Sequence, residues 1–303
     1  MSAALRVLRH LARLLALVAL TAIALPSSSV APVTISLTET RSAKGVDFGD
    51  GIVWILVLGS DVAPGTDVRE GDTDAIQLVG MNFETGAATA LGFLRDFYVD
   101  LPGHEPGRIN SALRLGGPEL AASVVETLVG IGPDYVLVTG SEGFLSMVGA
   151  AEGVTVTSST DFEADKPSSL HVHVGDNVFS AQDAFDYART RLAFVRGDRE
   201  RSANHQALLL GLLRQLREHE DEEGFMERVG VAAIEGLDTD LSPVDVYRLV
   251  QAVTELKPGS TTGCVLDGSD ETVDGNEVIF PYDARAMQAG EDVKEDAVLD
   301  GAC

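Results

Sequence analysis

The chain has 303 residues, 45% of them hydrophobic, which is enough for one large domain or two small ones around a real core and excludes disorder as the default. A formal net charge of −25 excludes the basic face that nucleic-acid binding requires. Global acidity also repels anionic ligands, so any phosphate site depends on local cations. Arginine supplies them unevenly: Arg189, Arg191, Arg196, Arg199 and Arg201 crowd one short stretch, and Arg suits bidentate phosphate contacts.

In chain order, Arg6, Arg9 and Arg13 precede an apolar run from Leu14 to Leu25 and then Pro26-Ser27-Ser28-Ser29. Positive charge ahead of an apolar run keeps the N-terminus in the cytoplasm and directs the remainder of the chain outward. The run is short for a full span and suits a signal-peptide core, but Pro32 follows the best-placed cleavage pattern, Ser29-Val30-Ala31. Residues 1–36 are therefore expected to be a membrane anchor, with a cleaved signal segment as the alternative. Cys264 and Cys303 show no metal-ligand spacing. In an oxidising compartment they can close a disulfide worth about 3 to 4 kcal/mol; two free thiols are the alternative.

Val53–Leu58 is a continuous apolar run ending at Gly59, which predicts a buried strand. Ile76–Met81 and Ala87–Leu94 predict two more, joined by a turn. Pro118-Glu119 opens a helix to about Val129. A strand at Tyr135–Thr139, a helix at Ser141–Ala150 and a strand at Val154–Thr157 come next. Residues 158–176 look like a loop. Helices are expected at Ser180–Arg189, Ser202–His219 and from Ser242-Pro243 to Leu256. The alternation predicts an α/β fold, a mostly buried central sheet flanked by helices in a single domain. Residues 37–256 would form that domain, and 257–303 an acidic C-terminal tail with short strand candidates near Cys264 and Val278.

The chemistry-bearing residues recur near the ends of the apolar runs. Asp61 follows the first strand and Asp74 precedes the second. Carboxylates converging there are hard oxygen ligands suited to Mg²⁺ completed by substrate phosphate oxygens, although an Asp in a turn commonly caps backbone. Arg95-Asp96 closes the third run, and Arg108 precedes Asn110. Together with Arg189, Arg191 and Arg201, and with His205 beside them, these guanidiniums can surround a diphosphate. Arg189 and Arg191 share a face only if the helix ends there. Arg201 and His205, four apart, share a helix face, and His205 is a candidate proton carrier or a surface or capping histidine. No serine, cysteine or P-loop nucleophile motif is present, so the chemistry would be electrostatic positioning of a diphosphate for attack by a hydroxyl.

The ordered set Ile55-Leu56-Val57-Leu58-Gly59-Ser60-Asp61, Thr73-Asp74, Leu94-Arg95-Asp96, Arg108-Ile109-Asn110, Gly116-Gly117-Pro118-Glu119-Leu120, Asp134-Tyr135, Glu142-Gly143-Phe144, Tyr187-Ala188-Arg189-Thr190-Arg191 and Arg201 resembles the LytR-CpsA-Psr family. The resemblance implies a membrane-anchored, extracytoplasmic enzyme that moves a glycopolymer from a polyprenyl-diphosphate carrier to peptidoglycan. It implies Mg²⁺ on Asp61 and Asp74, a diphosphate held by Arg95, Arg189, Arg191 and Arg201, and Asp96 close by, here the candidate base. A non-catalytic polyprenyl-phosphate-binding scaffold and a polyprenyl-diphosphate hydrolase need the same pocket. Three departures bear on activity. Where the family usually has Arg-Ser before its Asp-Thr, this chain has Asp72-Thr73, with Arg69 three residues earlier. Val62 replaces a second Arg after Gly-Ser-Asp, and Asn204-His205 replaces the usual Arg-Gln pair one turn beyond Arg201.

Overall fold

A computed structural model of the protein describes residues 51–301. The expected anchor and Cys303 lie outside the described residues, and among the described residues no helix is long and apolar enough to cross a membrane.

A five-stranded mixed sheet organises the fold. Strands β1 (Ile52–Ser60), β2 (Thr73–Asn82) and β3 (Ala87–Gly92) form an antiparallel meander. Further on in the chain come two two-residue strands, β4 (Tyr98–Val99) and β5 (Gly107–Arg108), which pair with each other. Strand β6 (Tyr135–Thr139) then runs parallel to β1 at one edge of the sheet. Because β2 runs against its neighbours, the C-terminal ends of β1 and β3 and the N-terminal end of β2 lie on the same edge.

Residues of β1 alternate between faces, as strand geometry requires. Leu56 and Leu58 join Leu78, Leu91, Val124 and Val125 in one core cluster, while Val53 and Ile55 join Met81, Leu213 and Leu249 in another. Both faces are covered, which is why the run is continuously apolar. The first cluster is closed by helix α1 (Ala112–Val129), whose regular part follows a break at Gly116-Gly117 and begins at Pro118. Helix α2 (Ser141–Ala150) follows β6, and β7 (Val154–Ser158) comes next.

Residues 158–176 are less loop-like than expected. They contain a small hairpin, β8 (Phe162–Glu163) and β9 (His171–Val172), before β10 (Gly175–Phe179) pairs with β7. Helix α3 (Ala181–Arg189) opens on a Ser180–Asp183 capping box. Helix α4 (Asp198–His219) starts four residues earlier than the apolar stripe indicates. Gln206 on α4 sets its distance from the sheet. Its amide donates towards the carbonyls of Ala90 at 3.1 Å and Cys264 at 2.7 Å.

Helix α5 (Phe225–Gly236) is not anticipated by the sequence pattern. Its glycines weaken the local helix signal, yet one is required by packing: a Cβ on Gly230 would sit 2.3 Å from the Tyr247 ring of helix α6 (Pro243–Val253).

The expected C-terminal tail is corrected. Strand β11 (Thr261–Val265) runs parallel to β3 at the other edge of the sheet, pairing Cys264 with Leu91. The hairpin β12 (Gly268–Val273) and β13 (Asn276–Pro281) comes after it, and helix α7 (Asp283–Val293) ends the described chain's regular structure. The acidic residues that suggest a tail are mostly on the surface, while Cys264, Leu266, Val278, Ile279 and Val293 are buried. Cys264 is disulfide-bonded.

Leu266→Ala is expected to destabilise the whole domain by about 3 kcal/mol, the ordinary cost of emptying a buried leucine site. A urea transition shifted as one cooperative unit checks this; an unchanged midpoint would mean an independent tail.

Candidate functional site

Asp74 stands at the N-terminal end of β2 between two guanidiniums. Arg95 Nη1 donates to its Oδ1 at 2.5 Å, and Arg201 Nη1 lies 3.6 Å from its Oδ2. Burial opposes ionisation of Asp74, but Arg201 and Arg95 outweigh it and hold the carboxyl below the usual range. Arg201 is the most enclosed of these cations, its side chain 7% exposed. It also contacts Asp198 Oδ1 at 2.6 Å.

Asp198 is a site residue that the sequence pattern does not single out. Besides Arg201, it faces Arg95 Nε at 3.7 Å and Arg191 Nη1 at 3.9 Å. The available signal is its place in the first turn of α4, three residues before Arg201. Asp96 faces it from the β3 side. Burial and the neighbouring Asp198 carboxylate raise the Asp96 pKa against the opposing pull of Arg95 and Arg108. A carboxylate with raised proton affinity is suited to accepting a proton.

The backbone around these groups is well fixed. Asn110 N–H donates to the Arg95 carbonyl at 3.2 Å, and the Thr73 hydroxyl donates to the Asn110 carbonyl at 3.2 Å. Ile279 N–H of β13 donates to the Asp96 carbonyl at 2.9 Å. Arg108 Nη2 donates to the Glu277 carbonyl at 2.6 Å, and its Nε lies 3.2 Å from Asp96 without hydrogen-bond alignment. Arg95 Nε and Arg108 Nε are thus buried donors lacking an aligned acceptor, which is costly unless a ligand supplies one.

Asp61 lies on the loop after β1. Burial raises its pKa, reinforced by Asp74 and Asp72, and it has no ion pair among the described residues. Its neighbour Ser60 keeps a buried hydroxyl without a partner. Gly71 lets the two chain segments approach this closely, since a Cβ there would lie 2.3 Å from Ser60 Oγ and 3.0 Å from Asp61 Oδ1. Repelling carboxylates beside an orphaned hydroxyl form an oxygen donor set that fits Mg²⁺.

The clustered arginines divide. Arg196 and Arg199 grip Asp267 at 2.5 and 2.6 Å and clamp the C-terminal hairpin rather than the site. The chain becomes extended at Thr190, directly after α3. Even so, Arg189 is exposed and lies over the Phe185 ring at 5.2 Å, while Arg191 faces Asp198. His205 is corrected as a proton carrier. Its Nε2 meets the Ala188 carbonyl at 2.9 Å, Nδ1 is enclosed without a partner, and burial beside Arg201 pushes the pKa down to about 4. Asp72 is paired with Arg114 at 2.9 Å, so a cation returns to the position where the family's usual Arg is absent. Arg69 is held by Asp238 instead.

The LytR_cpsA_psr family model matches residues 28–295. The chain belongs to the LytR_cpsA_psr family. It is 35% identical over 144 residues to the regulatory protein MsrR of Staphylococcus aureus, covering 47% of this chain and 42% of MsrR. It is 30% identical over 172 residues to the polyisoprenyl-teichoic acid–peptidoglycan teichoic acid transferase TagT of Bacillus subtilis, covering 54% of this chain and 53% of TagT. The matches thus span about half the length of these curated relatives. The solved structure of TagT bound to LI-WTA superposes with a TM-score of 0.67 at 24% identity, covering 84% of this chain and 94% of that one. That likeness establishes the fold.

In this LytR_cpsA_psr protein His205 is neutral when folded and titrates near 6.5 when unfolded. The unfolded chain therefore binds the extra proton between about pH 6.5 and 4, and stability falls as pH drops through that window. The loss attributable to His205 is about 3 kcal/mol. Urea transitions of the wild type and His205→Gln across the window check it, the variant showing the shallower decline.

Proposed function

We propose that this protein is an extracytoplasmic glycopolymer phosphotransferase that moves a glycan from a polyprenyl-diphosphate carrier to a peptidoglycan hydroxyl. The observation that carries the reading is the pair of buried guanidinium donors without acceptors, Arg95 Nε and Arg108 Nε, beside the Arg95–Asp74–Arg201 contacts. Such donors suit the oxygens of a diphosphate, and family membership and the similarity to TagT support the same chemistry.

The acceptor hydroxyl attacks the phosphorus that carries the glycan. A new phosphorus–oxygen bond forms as the bond to the bridging diphosphate oxygen breaks. Polyprenyl phosphate leaves, and a phosphodiester joins glycan to peptidoglycan. The proton of the attacking hydroxyl passes to Asp96, whose proton affinity burial and Asp198 raise. Arg95, Arg191 and Arg201 take up the charge that develops on the leaving phosphate. Arg108 positions Asp96 and adds its positive charge beside the same ligand. Arg189, exposed and lying over the Phe185 ring, is a further candidate cation for the diphosphate. Mg²⁺ held by Asp61 and Asp74, with Ser60 alongside, would neutralise the diphosphate in the ground state. The apolar N-terminal run would keep the enzyme at the membrane where its lipid donor resides.

The decisive experiment incubates the purified protein with Mg²⁺, a labelled polyprenyl-diphosphate glycan and peptidoglycan oligomers, with products analysed by mass. Label joined to peptidoglycan through a phosphate, and lost in a folded Arg95→Ala variant, is expected. Bound donor without product, under conditions where TagT is active, would indicate a scaffold; released glycan phosphate would indicate a hydrolase.

Arg114→Ala leaves Asp72 unpaired beside Asp61 and Asp74. Donor KM is expected to rise about tenfold, the loss of one charge contact of about 1.4 kcal/mol, with kcat little changed. Steady-state kinetics at saturating acceptor check this, and an unchanged KM would remove Arg114 from the site.

A further inference from the structure

The β8–β9 hairpin carries side chains for which the transfer reaction has no use. Its register pairs Phe162 with Val172 and Glu163 with His171. Strand alternation therefore puts Asp161, Glu163, His171 and His173 on one face. The opposite face is packed: Val172 is fully buried, and Phe162 meets the rings of Tyr187 and Phe194.

The exposed face is closely knit. His171 Nε2 lies 2.9 Å from Asp161 Oδ1, and His171 Nδ1 lies 2.8 Å from Glu163 Oε1. His173 Nδ1 lies 3.6 Å from Asp161 Oδ2. The two imidazoles stack with centroids 4.3 Å apart. One ligand atom from each of Asp161, His171 and His173 falls within 4.8 Å of the others. Tetrahedral coordination with bonds of about 2.1 Å separates its ligand atoms by about 3.4 Å, so little movement is required.

We propose that this hairpin face is a binding site for a transition-metal dication of the Zn²⁺ class, ligated by His171, His173 and Asp161. Glu163 accepts the Nδ1 proton of His171 and so presents Nε2 to the metal, the usual device for orienting a ligating histidine. Imidazole ligands select Zn²⁺ and its neighbours over Mg²⁺.

The scaffold behind the site is fixed. His173 N–H donates to Asn177 Oδ1 at 2.9 Å, and Asn177 Nδ2 donates back to the His173 carbonyl at 2.8 Å. Beyond β8, the Asp165 carboxylate accepts the backbone N–H groups of Arg191, Leu192 and Ala193 at 2.7, 2.9 and 3.2 Å. A metal tying β8 to β9 would therefore brace the segment that carries Arg191. The proposal holds whether or not the protein is a transferase.

The test uses the full untagged chain in detergent with excess Mg²⁺ to occupy oxygen-only sites. Zn²⁺ is titrated against a chromophoric chelator, for the wild type and for His171→Gln/His173→Gln. The wild type is expected to bind one equivalent more than the variant, with affinity at that site lowered at least ~10-fold by either single substitution. Equal stoichiometry in the two proteins would overturn the proposal. Cu²⁺ bound to the wild type gives a second readout that needs no variant: nitrogen hyperfine splitting from two imidazoles is expected in its electron paramagnetic resonance spectrum. A spectrum with oxygen ligands only would overturn it equally.

Discussion

Asp74 held between Arg95 and Arg201 is the contact on which the rest of the site depends. Each guanidinium is partly or largely removed from water, and an isolated buried charge is costly. The cost is offset because every charge has an opposite neighbour: Asp74 for both arginines, Asp198 for Arg201, and Asp96 for Arg95 and Arg108. Taking away one member leaves the others unbalanced, so the cluster behaves as a unit. It also explains why the chain keeps cations in this place despite a net charge of −25.

The sheet gives that unit its geometry. Three strand ends lie on one edge, so Asp74 at the start of β2 meets Asp61 and Arg95 from the connections after β1 and β3. Helix α4 brings Arg201 and Asp198 from the opposite side, its distance from the sheet set by the Gln206 hydrogen bonds to β3 and β11. The C-terminal residues complete the frame. β13 holds the Asp96 backbone, the Glu277 carbonyl fixes Arg108, and Asp267 ties down Arg196 and Arg199. A region that reads as an acidic appendage thus braces several residues of the site.

The departures from the family pattern have local answers of different kinds. Asp72 is charge-balanced by Arg114, forty-two positions away, which makes the substitution a relocation of the cation rather than a loss. His205, in contrast, has become a neutral packing element against Ala188. The first restores a cation beside the acidic loop; the second leaves a neutral ring, while Asp96 is the carboxyl whose proton affinity burial and Asp198 raise.

Much of the fold and several site residues are legible along the chain. Val53–Leu58 reads as a buried strand because both faces of β1 are covered, and the Ser180–Asp183 cap announces α3. Asp61, Asp74, Arg95 and Arg201 stand out because charges at the ends of apolar runs are expensive without a purpose. Other features are invisible for equally physical reasons. Helix α5 is masked by glycines that tertiary packing requires. A short strand near Cys264 is legible, but its place beside β3 is not, because Cys264 is the one buried residue of β11 and the pairing depends on a partner distant in sequence. Asp198, Arg114 and the division of labour among the clustered arginines depend on partners distant in sequence, and a charge reveals its role only when its counter-charge is located. Sequence alone determined which segments bury themselves and which residue types gather at their ends, since burial and periodicity are local properties. Only the tertiary structure decided which charges meet, because ion pairing depends on distances that the chain does not encode locally.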